Sequence, residues 1–206
     1  MSFAIEVPGD ANPLSLQSLY QTLQSATSTD YAQRQTAGQQ LTSWELQPGY
    51  YSSLQVSPSA NPRLLCAGTN RLQAVYLDKS LAYEVRFLAI IQLKNGIDRY
   101  WRLFNQVKNS IKPDEKSLIR SRLFQGSIEE EHANLALHNA LVVAKIVRID
   151  YPTEWPDAMG NIIELLRSTR NGNQRHLHGI LEILLRVVKE LGTARMRKNQ
   201  TALQSV

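Results

Sequence analysis

Residues 89–102 read AIIQLKNGIDRYWR. Ile90, Ile91 and Leu93 stand close together, as they do on the buried side of a helix. Lys94, Asn95, Asp98 and Arg99 then put four polar or charged groups into six positions, ahead of Tyr100 and Trp101. A helix apolar enough to be core carries a polar turn and ends in two large aromatics. The turn needs its own account.

The flanking sequence reads as helix after helix. Period-two alternation never persists, and Val, Ile and Thr clusters sit inside helical patterns. Residues 14–27 place Leu14, Leu16, Leu19, Tyr20 and Leu23 on one side. Thr29 and Asp30 suit the cap of a second helix, Tyr31 to about Leu46. Ser80 suits the cap of a long stretch, 81–102, with Leu81, Val85, Leu88 and Ala89 inward. Pro113 and Asp114 fit the first turn of the next helix, where no backbone donor is needed. Ser127 with Glu130 spells a capping box ahead of 131–149, whose apolar residues are too many for a narrow stripe. Pro156 opens a further helix with Ile162, Ile163, Leu165 and Leu166. Residues 173–191 close the series with Leu177, Ile180, Leu181, Leu184, Leu185 and Val188, and Arg195, Arg197 and Lys198 begin another turn.

The helices pair, and the second helices end near Glu45, Trp101, Tyr151 and Arg195. The last two spacings, 50 and 44 residues, lie close to the roughly 40–47 of HEAT or armadillo units. Such pairs bury their faces only against neighbours. The expected fold is therefore all-α, a HEAT-repeat solenoid of about four antiparallel pairs over residues 1–206, wound as a right-handed superhelix. The first spacing, 56, is too long. Residues 56–73, VSPSANPRLLCAGTNRLQ, hold Pro58, Pro62 and Gly68 and are expected as a loop-like insertion. Loop closure costs grow slowly with length, so a surface loop is tolerable. Valine codons begin with GT, glutamine can end in AG, and Thr69–Asn70 can encode ACTAAC, so a retained in-frame intron is the other reading.

Composition leaves little room for catalysis. The chain has 206 residues, 43% hydrophobic and 20% charged, the profile of a soluble globular protein. No apolar run is long enough to span a bilayer, and the N-terminus has no secretory pattern. Cys66 is the only cysteine. His176 and His178 are two apart and face different ways on a helix, and His132 and His138 are six apart, again the wrong spacing for a shared metal. EEEH at 129–132 lacks the second histidine of a zinc-protease motif. No phosphate-cradling glycine loop is present. No cofactor, metal or enzymatic activity is expected. The net charge of +5 is concentrated in residues 81–206, with nineteen Lys and Arg against thirteen Asp and Glu. These cations come singly among acids, as on a solvated helix face rather than a nucleic-acid-binding arm.

YAQRQTAGQQLTSWELQPGYYSSL, VRFLAIIQLKNGIDRYWR and AKIVRIDYPTEWP, in that order, resemble the N-terminal repeats of importin-β family transport receptors. LKNGIDRYWR is most similar to the importin-eleven branch. The resemblance covers the chain apart from residues 1–12 and 56–73. It implies the start of a longer, monomeric receptor shuttling between cytoplasm and nucleus. It also implies that the second (B) helices line a concave surface and that the first of them bind the GTP form of the GTPase Ran. Protein cargo and nucleoporins would be further partners of the whole receptor. Matching Lys94 and Asn95 to the family's LKN motif makes them the leading Ran-binding candidates, with Asp98 and Arg99 on the same turn. Asn139 and Lys145 on the next inner helix follow. The polar turn would then be where a core helix meets the inner surface. Tyr100 and Trp101 would fill the seam between repeats, and Trp155 would anchor the turn in DYPTEWP. A nucleic-acid-binding or passive scaffold solenoid using the basic half is the alternative.

Overall fold

The computed structural model describes residues 14–45, 50, 71–102, 111–170 and 172–193. Among these residues there are eight α-helices and no strand. They are α1 (Leu16–Ala26), α2 (Tyr31–Trp44), α3 (Arg71–Leu77), α4 (Tyr83–Tyr100), α5 (Pro113–Ile128), α6 (Ala133–Asp150), α7 (Ala158–Thr169) and α8 (Gln174–Thr193). Each odd-numbered helix packs on the even-numbered one that follows it, giving four pairs. The second helices also stack on one another, α4 on α6 and α6 on α8. This is the solenoid arrangement that the spacings predict, with each pair buried by its neighbours. None of the described helices is long and apolar enough to cross a membrane.

Local chemistry sets most helix ends. The Asp30 carboxylate accepts the Ala32 amide at 2.9 Å, capping α2, and Pro113 occupies the first turn of α5. The second helices stop at Glu45, Trp101 and Tyr151, within a residue of their expected ends. Two start signals act otherwise than their sequence suggests. Helix α4 begins at Tyr83, with Ala82 rather than Ser80 before its first turn. Ser80 instead bonds the Asp78 carboxylate at 2.6 Å. Ser127 is not the cap of α6 but the last turn of α5, because that helix runs on to Ile128. No side chain caps the first turn of α6, and Glu130 instead accepts the amides of Glu131 and His132 just ahead of it, at 3.0 Å each.

Packing explains the apolar density of α6. It is wedged among α4, α5 and α8, and Leu135, Ala140, Val142, Val143, Ala144, Ile146 and Val147 are all fully buried. In α4, Ile90, Leu93 and Ile97 are likewise buried, whereas Ile91 is half-buried. Trp101 fills the seam to the next pair without any exposed surface. On α8 the buried row is Gly179, Ile180, Ile183, Val187 and Leu191. Leu181, Leu185 and Val188, expected in the core set, stand 46%, 45% and 42% exposed because they lie on the side of α8 away from α5, α6 and α7.

Most of the expected insertion, residues 56–70, lies outside the described residues. Its last three residues do not belong to a loop. They form the first turn of α3, where Leu72 and Gln73 are fully buried and the Gln73 side-chain amide donates to the Ile119 carbonyl at 3.1 Å. Arg195, Arg197 and Lys198 also lie outside the described residues.

Candidate functional site

Because Ile90, Leu93, Gly96 and Ile97 turn one side of α4 into the core, helical periodicity turns Lys94, Asn95 and Asp98 the other way. Asn95, Asp98 and Arg99 are exposed and Lys94 is half-buried. On α6 the buried set Val142, Val143, Ile146 and Val147 leaves Lys145 half-buried and Arg148 exposed on the corresponding side. Stacking of α4, α6 and α8 makes these strips continuous.

Ion pairs cross this surface from helix to helix. Arg99 Nη1 lies 3.1 Å from Glu45 Oε2, joining α4 to the end of α2, and the Tyr100 hydroxyl donates to the same oxygen at 3.4 Å. Lys145 Nζ pairs with Asp98 Oδ2, joining α6 to α4. Arg148 Nη1 lies 2.9 Å from Glu190 Oε2, joining α6 to α8. The result is a ladder with one rung at each junction between successive second helices. Lys94 has no ion-pair partner among the described residues. Its charge is felt at His138 of α6, whose ring meets Phe87 edge-on at 5.1 Å. Burial first, and the Lys94 charge second, hold the His138 pKa below its usual value.

Of the sequence candidates, Lys94, Asn95, Asp98, Arg99 and Lys145 converge on this surface. Asn139 does not. One residue beyond His138, a helix turns by about 100 degrees, which carries Asn139 into the core against α5. There its amide nitrogen donates to the Leu123 carbonyl at 2.6 Å and the Ser127 hydroxyl at 2.8 Å. It ties two helices together and leaves the candidate set. Glu45, Arg148 and Glu190 lie on the same surface. Arg148 is readable as a bridge between helix ends, but nothing local marks Glu45 or Glu190.

A second cluster proves architectural. The Trp101 indole donates to both Asp150 carboxylate oxygens at 2.9 Å, and Arg120 Nε donates to the same carboxylate at 3.0 Å. The Arg120 guanidinium lies between the Trp101 and Trp155 rings, 5.8 and 5.7 Å from their centroids. Lys116 covers the Trp101 ring at 5.5 Å, and burial lowers its pKa despite the opposing charge of Asp150. DYPTEWP thus locks the third pair to the second and to the following turn. Among the described residues no three His, Cys, Asp or Glu side chains gather as a metal site would need.

The Importin-beta N-terminal domain profile matches residues 69–129. The chain is 34% identical over 95% of its length to Importin beta-like protein KAP120 of Saccharomyces cerevisiae, covering 17% of that protein. It is 31% identical over 85% of its length to human Importin-11, covering 16% of it. A solved structure described as Lph2, a bidirectional nuclear transport receptor in S. cerevisiae, superposes with a TM-score of 0.72 at 34% identity. That superposition takes in 89% of this chain and 16% of the Lph2 chain. The chain therefore spans about a sixth of the length of these relatives.

Proposed function

The chain belongs to the importin-β family of nuclear transport receptors, and from that premise we propose that it forms the N-terminal repeats of a receptor that binds the GTP form of Ran on its second-helix surface. The carrying observation is the LKN turn. Lys94 and Asn95 reach solvent on α4, beside Lys145 on α6, and Lys94 is uncommitted among the described ion pairs. A cation held by a rigid helix and not neutralised by its own chain suits an acidic partner. Cargo and nucleoporins would engage the longer receptor, cycling between cytoplasm and nucleus. The exposed Leu181, Leu185 and Val188 give α8 a row on which a further helix pair would stack. A nucleic-acid surface is the poorer reading, because Glu45, Asp98 and Glu190 stand among Lys94, Arg99, Lys145 and Arg148 and leave the strip with little net positive charge.

Capture of Ran loaded with GTP or with GDP tests the proposal. The chain should retain the GTP form and release the GDP form. Lys94→Glu should weaken GTP-form binding by about 2 kcal/mol, near thirtyfold, while thermal unfolding stays within about 0.5 kcal/mol of the parent. Equal retention of both forms, or of neither, would refute the reading.

A further inference from the structure

Of the cations Lys94, Arg99, Lys145 and Arg148, the last three already hold a carboxylate from a different repeat. Arg99 holds Glu45, Lys145 holds Asp98 and Arg148 holds Glu190. None of these rungs is sealed from water. Each rung keeps one partner open to water and the other more enclosed: Arg99 is 60% exposed against 14% for Glu45, Asp98 55% against 24% for Lys145, and Arg148 46% against 28% for Glu190. Water-exposed ion pairs are weak and exchange partners readily. An incoming carboxylate can take the place of Asp98 on Lys145 without uncovering a buried charge. Contrast the Arg86–Glu130 pair, whose side chains are 4% and 3% exposed. Breaking that pair would strand a charge in the core.

We propose that Glu45, Asp98 and Glu190 act as internal placeholders, each occupying a cation that an acidic partner claims when it binds. The surface is self-neutralised at rest, and a partner must bring its own carboxylates to displace the rungs. This rests on the Ran reading for the identity of the partner, but not for its chemistry. It also assigns Asp98 a role opposite to that of a direct contact. A contact residue strengthens binding, whereas a placeholder competes with it.

The sign of one substitution separates the two roles. Asp98→Asn frees Lys145 and should tighten binding of GTP-form Ran by roughly threefold to tenfold at low salt. Glu190→Gln, which frees Arg148, should act in the same direction. The gain from Asp98→Asn should disappear when Lys145→Gln is added, as a direct coupling requires. Glu84→Gln, at an exposed acid of α4 outside the ladder, controls for the change in net charge. The same set is titrated with poly-L-glutamate, which supplies carboxylates independently of Ran. If neither form of Ran binds but poly-L-glutamate shows the gain, the Ran reading falls and the placeholders stand. Weaker or unchanged binding with Asp98→Asn, or an equal gain from Glu84→Gln, would overturn the placeholder role.

Discussion

His138 and Asn139 are adjacent in sequence and opposite in consequence. Asn139 is sealed against α5 and holds two hydrogen bonds, so its loss would strip an interhelix tie. His138 stays half-buried against Phe87 and feels the Lys94 charge, and its titration should be visible in stability. Its folded pKa is depressed, so the unfolded chain binds the proton more readily at mildly acidic pH. The contribution is complete above the unfolded value of about 6.5 and is lost as pH falls through the lower folded value. Melting temperatures measured from pH 7.5 to 5 should therefore fall less steeply for His138→Gln than for the parent. Lys94→Gln removes the second cause of the shift and should raise the His138 pKa in an NMR titration. Parallel melting profiles and an unmoved imidazole titration would show that neither Lys94 nor burial governs this ring.

The last turn of α5 is where whole helices meet. The Tyr76 hydroxyl of α3 donates to the Gly126 carbonyl at 2.5 Å, Asn139 of α6 reaches Ser127, and Gly179 brings α8 against the same turn. A Cβ on Gly179 would lie 2.6 Å from the Ser127 carbonyl oxygen, whereas one on Gly192 of the same helix would meet nothing within 4 Å. Gly179→Ala should cost about 1–3 kcal/mol by forcing α8 off α5. Gly192→Ala should be neutral or stabilising by about 0.5–1 kcal/mol, since alanine suits a helix better. Denaturant unfolding of both variants checks the contrast, and equal effects would contradict the close approach. Helix existence was legible in sequence because caps and periodicity are local: Asp30, Pro113 and the stops at Glu45, Trp101 and Tyr151 lie where those signals put them. The Ser127–Glu130 pattern misleads because α5 overruns it and Glu130 also holds Arg86. The exposed row at Lys94 and Asn95 was legible by period and family motif, but its rungs were not. Their partners lie 54, 47 and 42 residues apart, set by how the helices stack.

In a stack of helix pairs, stability is summed from neighbours, so it should vary along the molecule. Helix α6 has α4, α5 and α8 around it and its apolar residues are almost wholly enclosed. Helix α2 leans chiefly on α1, and its buried residues are only Ala37, Leu41 and Trp44. The Glu45–Arg99 rung ties its end to α4, but with Arg99 60% exposed that tie is weak. Opening α2 therefore exposes little apolar surface, whereas opening α6 dismantles three interfaces. Opening free energies follow such differences in buried contact. Amide hydrogen exchange should show α6 as the slowest segment and α2 among the fastest of the described helices, with α4 and α8 between. Arg99→Gln should accelerate exchange in α2 and leave α6 at its parent rate, because the rung it removes belongs only to the first junction. Uniform protection from α2 to α8, or an effect of Arg99→Gln that spreads to α6, would mean that the pairs unfold as one cooperative body rather than as neighbours in a row.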